Sequence, residues 1–392
     1  MVCDVKVLLI TNIPNPYRVP LFNELSRQLN SRGVGLKILF GAKGYERRYF
    51  NLDMRDCMFD YEILPARRLP HVDNERVSFT YGGLFTRIRK YNPDLIITNG
   101  FSVATVKLWF RSWFMDTPYL IWSGAIEPQV ERLSFLRTLQ RRLVSSRAIG
   151  GIAYGTLAKN YLARHGVESD SIAIGINTVD TEFFRDKAMH LRALMDKKNR
   201  KKTLLSICYL TKGKRVDQLL RAIQVLTSMR RDFVLKILGA GPEMENLRQL
   251  CCDLDIADSV EFVGFVEKSE IPAYLAAADC FLFSTEYDVW GLVLVEAMAA
   301  GVACIASRLA GATPDLIQDG VTGFALDFSD SHELAQRINW MLDNEAAAMQ
   351  IGENAREFIS KNVTLQVSAA GFVSAIERAL SRRGCKIREP AS

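Results

Sequence analysis

Residues 284–300 read STEYDVWGLVLVEAMAA, and the way this stretch folds decides the rest. It is preceded by the apolar run Cys280–Phe283 and followed, after Gly301, by the apolar run Ala303–Ala306. Both runs have the length of a strand and are bounded by turn formers. Between them, Val293–Ala300 has the length of a helix, with Gly291 just before it. Strand, helix and strand in this order form a βαβ unit, which places the two strands parallel and covers a face of the sheet with the helix. Within Leu292–Ala300 only Glu296 is charged. A carboxylate in an apolar helix needs partners, and ligand hydroxyls are one source of them. A helix opening at Gly291 also leaves the N–H groups of Leu292 and Val293 free to bind phosphate oxygens. The competing reading is a first-turn Glu favoured by the helix dipole, with Asp288 merely a turn former.

The same alternation runs outward in both directions. Downstream and upstream within the second half, Leu204–Cys208, Val234–Leu238, Val260–Phe262 and Gly323–Ala325 read as further strands. Gln218–Ser228, Glu243–Asp253, Ile271–Ala277 and Ser331–Leu342 read as the helices between them. In the first half, Val7–Ile10, Leu36–Phe40, Leu95–Thr98, Tyr119–Ile121 and Gly151–Ala153 read as strands, with helices at Leu21–Leu29, Phe85–Tyr91, Leu133–Val144 and Lys159–His165. The pattern stops at Ile172–Phe184, which is rich in turn formers, and a charged stretch with Lys197, Lys198, Arg200, Lys201 and Lys202 follows. The expectation is two α/β domains of doubly wound parallel sheet, residues 1–178 and 179–364, with a final helix at Leu365–Leu380 in a segment 365–392 that crosses back to the first domain.

Ligands bind at the carboxyl ends of such strands, so the loops there carry the candidate chemistry. Lys212, Lys214 and Arg215 lie between a strand and a helix. Cations at a helix N-terminus oppose its dipole unless an anion is present, and a diphosphate is such an anion; exposed loop cations are the alternative. Gly239 and Gly241 let backbone approach a ligand or simply make a turn before Pro242. Gly311, in LAGATPD at 309–315, marks another strand-to-helix turn. Asp288, eight residues before Glu296, can accept hydrogen bonds from a sugar ring.

Length and composition agree with this organisation. A chain of 392 residues that is 48% hydrophobic and 24% charged suits two globular cores. Its start is too short and charged an apolar run for a signal peptide, and no stretch has the length of a membrane span. The eight cysteines have no metal-like spacing and read as reduced, buried residues of a cytoplasmic protein. Residues 1–178 carry 24 Lys and Arg against 15 Asp and Glu, whereas residues 179–392 carry 26 against 29. The basic half suits an anionic partner such as a lipid phosphate, although a solvated surface explains it equally.

Taken together, Asp288–Ala299, Gly239–Pro242, the loop around Gly311, the turn DGVTG at Asp319–Gly323 and the junction NTVDTEFF at Asn177–Phe184 make the chain resemble the retaining GT-B glycosyltransferases of family 4 (group 1). The resemblance covers nearly all of the chain. It implies two Rossmann-like domains facing across a cleft and transfer of a sugar from a nucleoside diphosphate sugar, UDP or GDP being the expected donor nucleotide. It implies that Glu296 binds the ribose, that backbone at Gly291, Leu292 and Val293 and at Gly239, Gly241 and Gly311 lines the donor, and that Asp288 contacts the donor sugar. Lys214 falls on the diphosphate position, with Lys212 or Arg215 assisting, and Phe265 and Val266 fall beside the base. Three positions depart from the family. Tyr209 stands where an Arg is usual. The loop Ile121–Pro128 has no His, leaving Ser123 or Glu127 to take its place. Asn12, Pro16 and Tyr17, on the acceptor side, replace a double glycine.

No cofactor or metal is expected, because no His, Cys or carboxylate cluster has ligand spacing. The expected acceptor is a carbohydrate or lipid-linked molecule in polysaccharide, lipopolysaccharide or glycolipid assembly. The rival functions are a sugar-nucleotide epimerase or hydrolase on the same fold and a non-catalytic binder of anionic surfaces; no nucleic-acid module is present. One further expectation concerns location. Leu133, Leu136, Leu139 and Leu143 form a helical stripe flanked by Arg132, Arg137, Arg141 and Arg142, near the cluster Trp109, Phe110, Trp113 and Phe114 with Lys107 and Arg111. Such a pattern suits a peripheral helix on the inner face of a membrane. On base rates it better suits an amphipathic helix packing its stripe into its own core.

Overall fold

The computed structural model describes residues 5–44, 54–65, 67–69, 78–116, 118–127, 134–195, 200–385 and 387–388. The chain divides into two compact units, Met1–Val179 with Leu365–Ser392, and Asp180–Thr364.

The first unit contains β1 (Val5–Thr11), α1 (Val19–Asn30), β2 (Val34–Phe40), β3 (Asp60–Ile63), β4 (Arg68–Leu69), β5 (Ser78–Phe79), α2 (Leu84–Tyr91), β6 (Leu95–Asn99), α3 (Val103–Arg111), β7 (Tyr119–Ser123), α4 (Phe135–Ser145), β8 (Gly150–Ala153), α5 (Thr156–Arg164) and β9 (Ile172–Ile174). Seven strands form one parallel sheet in the order β3-β2-β1-β6-β7-β8-β9, and β4 with β5 makes a small antiparallel ribbon. Val7, Leu8, Leu9 and Ile10 are all buried. Consecutive apolar residues point to opposite sheet faces, so both faces of β1 must be covered, as parallel sheets require.

The second unit contains α6 (Thr181–Leu194), β10 (Lys202–Ile207), α7 (Val216–Met229), β11 (Phe233–Leu238), α8 (Met244–Asp253), β12 (Val260–Gly264), α9 (Ile271–Ala277), β13 (Cys280–Phe283), α10 (Leu292–Ala299), β14 (Cys304–Ser307), α11 (Thr313–Leu316), β15 (Phe324–Leu326), α12 (Ser331–Asp343) and α13 (Glu345–Asn362). Its six parallel strands run β12-β11-β10-β13-β14-β15. The last helix, α14 (Leu365–Ser381), belongs to the first unit, where Phe372 packs edge-on against Trp122 with ring centroids 5.2 Å apart.

Several elements differ from the sequence expectation. Ile172–Ile174, expected to end the βα pattern, is the final strand of the first sheet, too short to display a period. Asp180, expected in a turn, caps α6: its Oδ1 accepts the Phe183 N–H at 3.1 Å. The sequence reading also passed over α3 and the 18-residue α13, whose buried face is built from Ala348, Ile351, Gly352, Ala355 and Ile359. Small residues at core positions dilute an apolar stripe while letting backbones approach. The helix expected at Leu133–Val144 is α4; Arg132 and Leu133 lie outside the described residues, as do Lys197, Lys198 and Pro128.

Candidate functional site

In the second unit, β10 and β13 are central neighbours, and the chain leaves their carboxyl ends toward opposite flanks of the sheet. Such a reversal of strand order opens a crevice at the strand ends. Backbone hydrogen bonds join the loops that rim it. Leu210 N–H donates to Ala240 at 3.0 Å, Gly239 to Gly264 at 2.7 Å, Glu286 to Gly213 at 2.9 Å and Gly311 to Asp288 at 2.8 Å. Five loops, after β10 to β14, thus form one connected rim. Gly239 is obligatory in it: its φ is +132°, and a Cβ there would lie 1.8 Å from the Cys208 carbonyl oxygen. Gly241, in the same loop, lies against Leu210.

The cations of the β10–α7 loop are matched by carboxylates the sequence reading had not placed there. Lys214 Nζ donates to Asp288 Oδ2 at 2.5 Å, while Asp288 Oδ1 accepts the Trp290 N–H at 3.1 Å. Arg215 donates to Glu286 Oε1 at 3.1 Å and also pairs with Asp217. Arg215 and Lys212 line a cavity of about 350 Å³ with Glu243, Glu286 and Asp217, and among the described residues Lys212 makes no ion pair. Anions for this loop are thus supplied by the protein itself, at Asp288, Glu286 and Asp217. The sheet topology brings β13's loop to it from more than seventy residues away, a proximity that local sequence cannot display. Of the three cations, Lys214 alone is paired to the residue assigned to the donor sugar.

Helix α10 is eight residues long, too short to persist alone. Its side chains from Leu294 to Ala299 are buried, and each large apolar one contributes about 1.5–3 kcal/mol. Gly291 opens the helix at φ +109°, against the Phe283 ring, where a Cβ would approach to 2.5 Å. The N–H groups of Leu292 and Val293 are first-turn donors without intrahelical acceptors. Glu296 is 7% exposed, and its Oε2 has no hydrogen-bond partner. An unsatisfied buried polar atom costs about 1–3 kcal/mol. Burial pushes the carboxyl up to about 8, against the opposing pull of the Lys268 charge. On the same loop, Ser284 Oγ and Trp290 Nε1 are also buried without partners. The rim therefore holds donors and acceptors the protein itself does not use. Phe265, beyond the β12 end, is 73% exposed, and Val266 beside it is half-buried.

The first-unit candidates are more occupied. Asn12 Oδ1 accepts the Tyr81 hydroxyl at 2.6 Å. Pro16 and Tyr17 are half-buried, and the Tyr17 ring faces the Arg18 guanidinium. Ser123 Oγ is buried and accepts the Ala125 N–H at 3.0 Å, shaping its own loop, whereas Glu127 is exposed.

Sequence reasoning missed Arg18, Lys268 and Glu286. Arg18 is 6% exposed, has no carboxylate partner among the described residues, lies 4.5–5.2 Å from the Trp122, Tyr154 and Tyr17 rings, and donates to Tyr154 Oη at 2.6 Å. The adjacent Tyr17 was the only local hint. Lys268 is recognisable only once the loop after β12 is found near enough to Glu296 to pull on its charge, and Glu286 only once the β10 and β13 loops meet.

Residues 191–358, less than half of the chain, match the model of the family described as glycosyl transferases group 1. N-acetyl-alpha-D-glucosaminyl L-malate synthase of Bacillus anthracis is 36% identical over 159 residues, 40% of this chain and 40% of that protein. The GDP-mannose-dependent alpha-(1-6)-phosphatidylinositol monomannoside mannosyltransferase of Mycobacterium tuberculosis is 33% identical over 193 residues, 46% and 49% of the two chains. The chain thus spans less than half the length of these curated relatives. Among solved structures, HepE of Anabaena in complex with UDP superposes with a TM-score of 0.73 at 18% identity, covering 95% of this chain and 99% of that one. Sucrose-phosphate synthase of Thermosynechococcus elongatus gives 0.74 at 17% identity, covering 96% and 100%. These likenesses establish the fold, which is GT-B: two α/β units, each built on a parallel sheet.

Proposed function

We propose that this chain is a retaining glycosyltransferase that holds a nucleoside diphosphate sugar at the carboxyl edge of the second unit's sheet. The observation that carries this reading is Glu296. A buried carboxyl with an unpartnered oxygen, on the helix that follows the crevice loop, calls for a ligand that donates hydrogen bonds, and the two hydroxyls of a ribose do so. The first-turn N–H groups of Leu292 and Val293 receive the diphosphate, Lys214 adds a cation beside it, and Asp288 turns from Lys214 toward the sugar hydroxyls. Phe265 and Val266 flank the base. The matched family and the relatives' names, which include a GDP-mannose-dependent transferase, support a sugar-nucleotide donor; the UDP complex of HepE supports binding of a nucleoside diphosphate by this fold.

In the reaction, the bond from the anomeric carbon to the diphosphate oxygen breaks and its electron pair leaves with the diphosphate. The acceptor hydroxyl oxygen bonds to that carbon from the same face, and its proton passes to the departing phosphate oxygen. The charge that develops on the phosphate meets Lys214 and the α10 amides, which are already oriented and so require little reorganisation. The acceptor is a carbohydrate or lipid-linked hydroxyl, and the chemistry as written uses no metal.

Thermal unfolding with UDP, GDP and ADP, followed by proton NMR of the matching sugar nucleotide, tests this. One nucleoside diphosphate raises the unfolding temperature. Slow hydrolysis of its sugar derivative then releases sugar first in the donor's own anomeric configuration. Absence of any nucleotide-dependent shift, or release of the inverted anomer, contradicts the proposal.

A further inference from the structure

The sequence left open whether the α4 stripe faces the core, and the structure answers: it faces out. Phe135 is 77% exposed, Leu136 74%, Leu139 41% and Leu143 42%, while Val144 and Ser145 take the inner side of α4. In the last turn of the neighbouring α3 and just beyond it, Phe110, Trp113, Phe114 and Met115 are 58%, 60%, 73% and 48% exposed. The two groups form one face. Arg147, just past α4, lies 4.5 Å over the Trp113 ring and donates to the Ser112 carbonyl at 2.7 Å. The Phe110 and Phe114 rings are 5.4 Å apart, and Arg111 reaches the exposed Phe85 of α2, 6.0 Å from its ring centroid.

The charges around this face are mainly positive. Among the described residues, Arg89, Arg111, Arg137, Arg142 and Arg147 form no ion pair, and Asp116, the acid beside the aromatic turn, is held by Arg383 at 2.6 Å. Arg141 is not part of the rim, since it turns inward over Phe101 and Tyr161. Apolar patches this large rarely stay in water. A partner that is apolar below and anionic at its surface satisfies both components, with tryptophan at the boundary. No helix among the described residues is long and apolar enough to cross a membrane.

We infer that the outer face of α3 and α4 docks the first unit onto an anionic lipid bilayer, inserting Phe110, Trp113, Phe114, Phe135 and Leu136 between headgroups that the five arginines neutralise. The inference stands apart from the donor site, because docking is measured without nucleotide.

The test is co-sedimentation of the full chain with vesicles of equal parts phosphatidylglycerol and phosphatidylcholine, and with vesicles of phosphatidylcholine alone. The protein sediments with the anionic vesicles, at least about tenfold more tightly than with neutral ones, and is released by high salt. Arg137→Glu/Arg142→Glu weakens sedimentation about tenfold or more while leaving the unfolding temperature within about a degree, since both side chains are exposed. Brominated acyl chains quench tryptophan emission, and Trp113→Phe removes most of that quenching. Three results overturn the inference: no sedimentation at low salt; sedimentation indifferent to the charge reversal; or a stable dimer in lipid-free solution that ignores vesicles, which identifies a second copy as the occupant.

Discussion

Among the described residues, each unit buries one ionisable side chain at the carboxyl edge of its sheet, Arg18 and Glu296, and the two are treated in opposite ways. In the first unit Arg18 is enclosed by Trp122, Tyr154 and Tyr17 and donates to the Tyr154 hydroxyl. In the second unit Glu296 has one oxygen with no partner, and burial holds its carboxyl up to about 8. Ionising either group here costs desolvation, and Glu296 avoids that cost by holding its proton. The fold compensates the arginine from its own side chains and leaves the glutamate to be compensated by something else. A buried charge that is internally satisfied stabilises a structure, whereas one left unsatisfied marks where a ligand completes it. On this comparison the second unit binds the donor, although both units share one architecture.

The largest expected effect comes from the cation beside that edge. Lys214→Ala should weaken nucleoside diphosphate binding about ten- to a hundredfold, the worth of a charge-assisted hydrogen bond. Nucleoside monophosphate binding should change less than about threefold by the same measure. Calorimetric titration of both nucleotides decides this. Equal losses for the two mean that Lys214 supports the loop through Asp288 rather than the diphosphate, and the second unit then resembles the first.

A smaller effect separates the two buried groups through pH. Glu296 keeps its proton in the native state up to about pH 8, whereas the unfolded chain releases it in the ordinary carboxylate range. Between those values the unfolded state binds fewer protons, so native stability falls as pH rises and levels off above about 8. Unfolding temperatures from pH 5 to 9 should therefore decline less steeply for Glu296→Gln than for the wild type. Arg18→Met should lower the temperature at every pH, by about 2–4 °C for each kcal/mol lost, and leave the slope unchanged. Parallel curves for the wild type and Glu296→Gln mean the carboxyl is ionised in the native state.

The two units were also unequally legible in the sequence. Gly291, Glu296 and the helix between β13 and β14 are local: a glycine, an apolar run and one acid within ten residues imply both the element and its oddity. The βα alternation likewise carried the sheet, because strands buried on both faces are continuous apolar runs. Pairings made by topology were not legible. Asp288 and Glu286 reach Lys214 and Arg215 only because β10 and β13 are neighbours in space. Arg18 meets Trp122 and Tyr154 across three strands of the first sheet. β9 is too short for a period, and α13 hides its core face in alanine and glycine. The outward stripe of α4 was visible as a stripe, but its direction depends on which side already packs against the sheet.

The central claim is that Glu296 is completed by the ribose of a donor nucleotide. It is tested most directly by titrating the nucleoside diphosphate and its 2′,3′-dideoxy counterpart into the wild type and Glu296→Gln. The account predicts that the wild type prefers the ribose form by about tenfold or more, roughly 1.4 kcal/mol, and that the variant loses this preference while still binding the dideoxy form. A variant that keeps the full preference for ribose contradicts it.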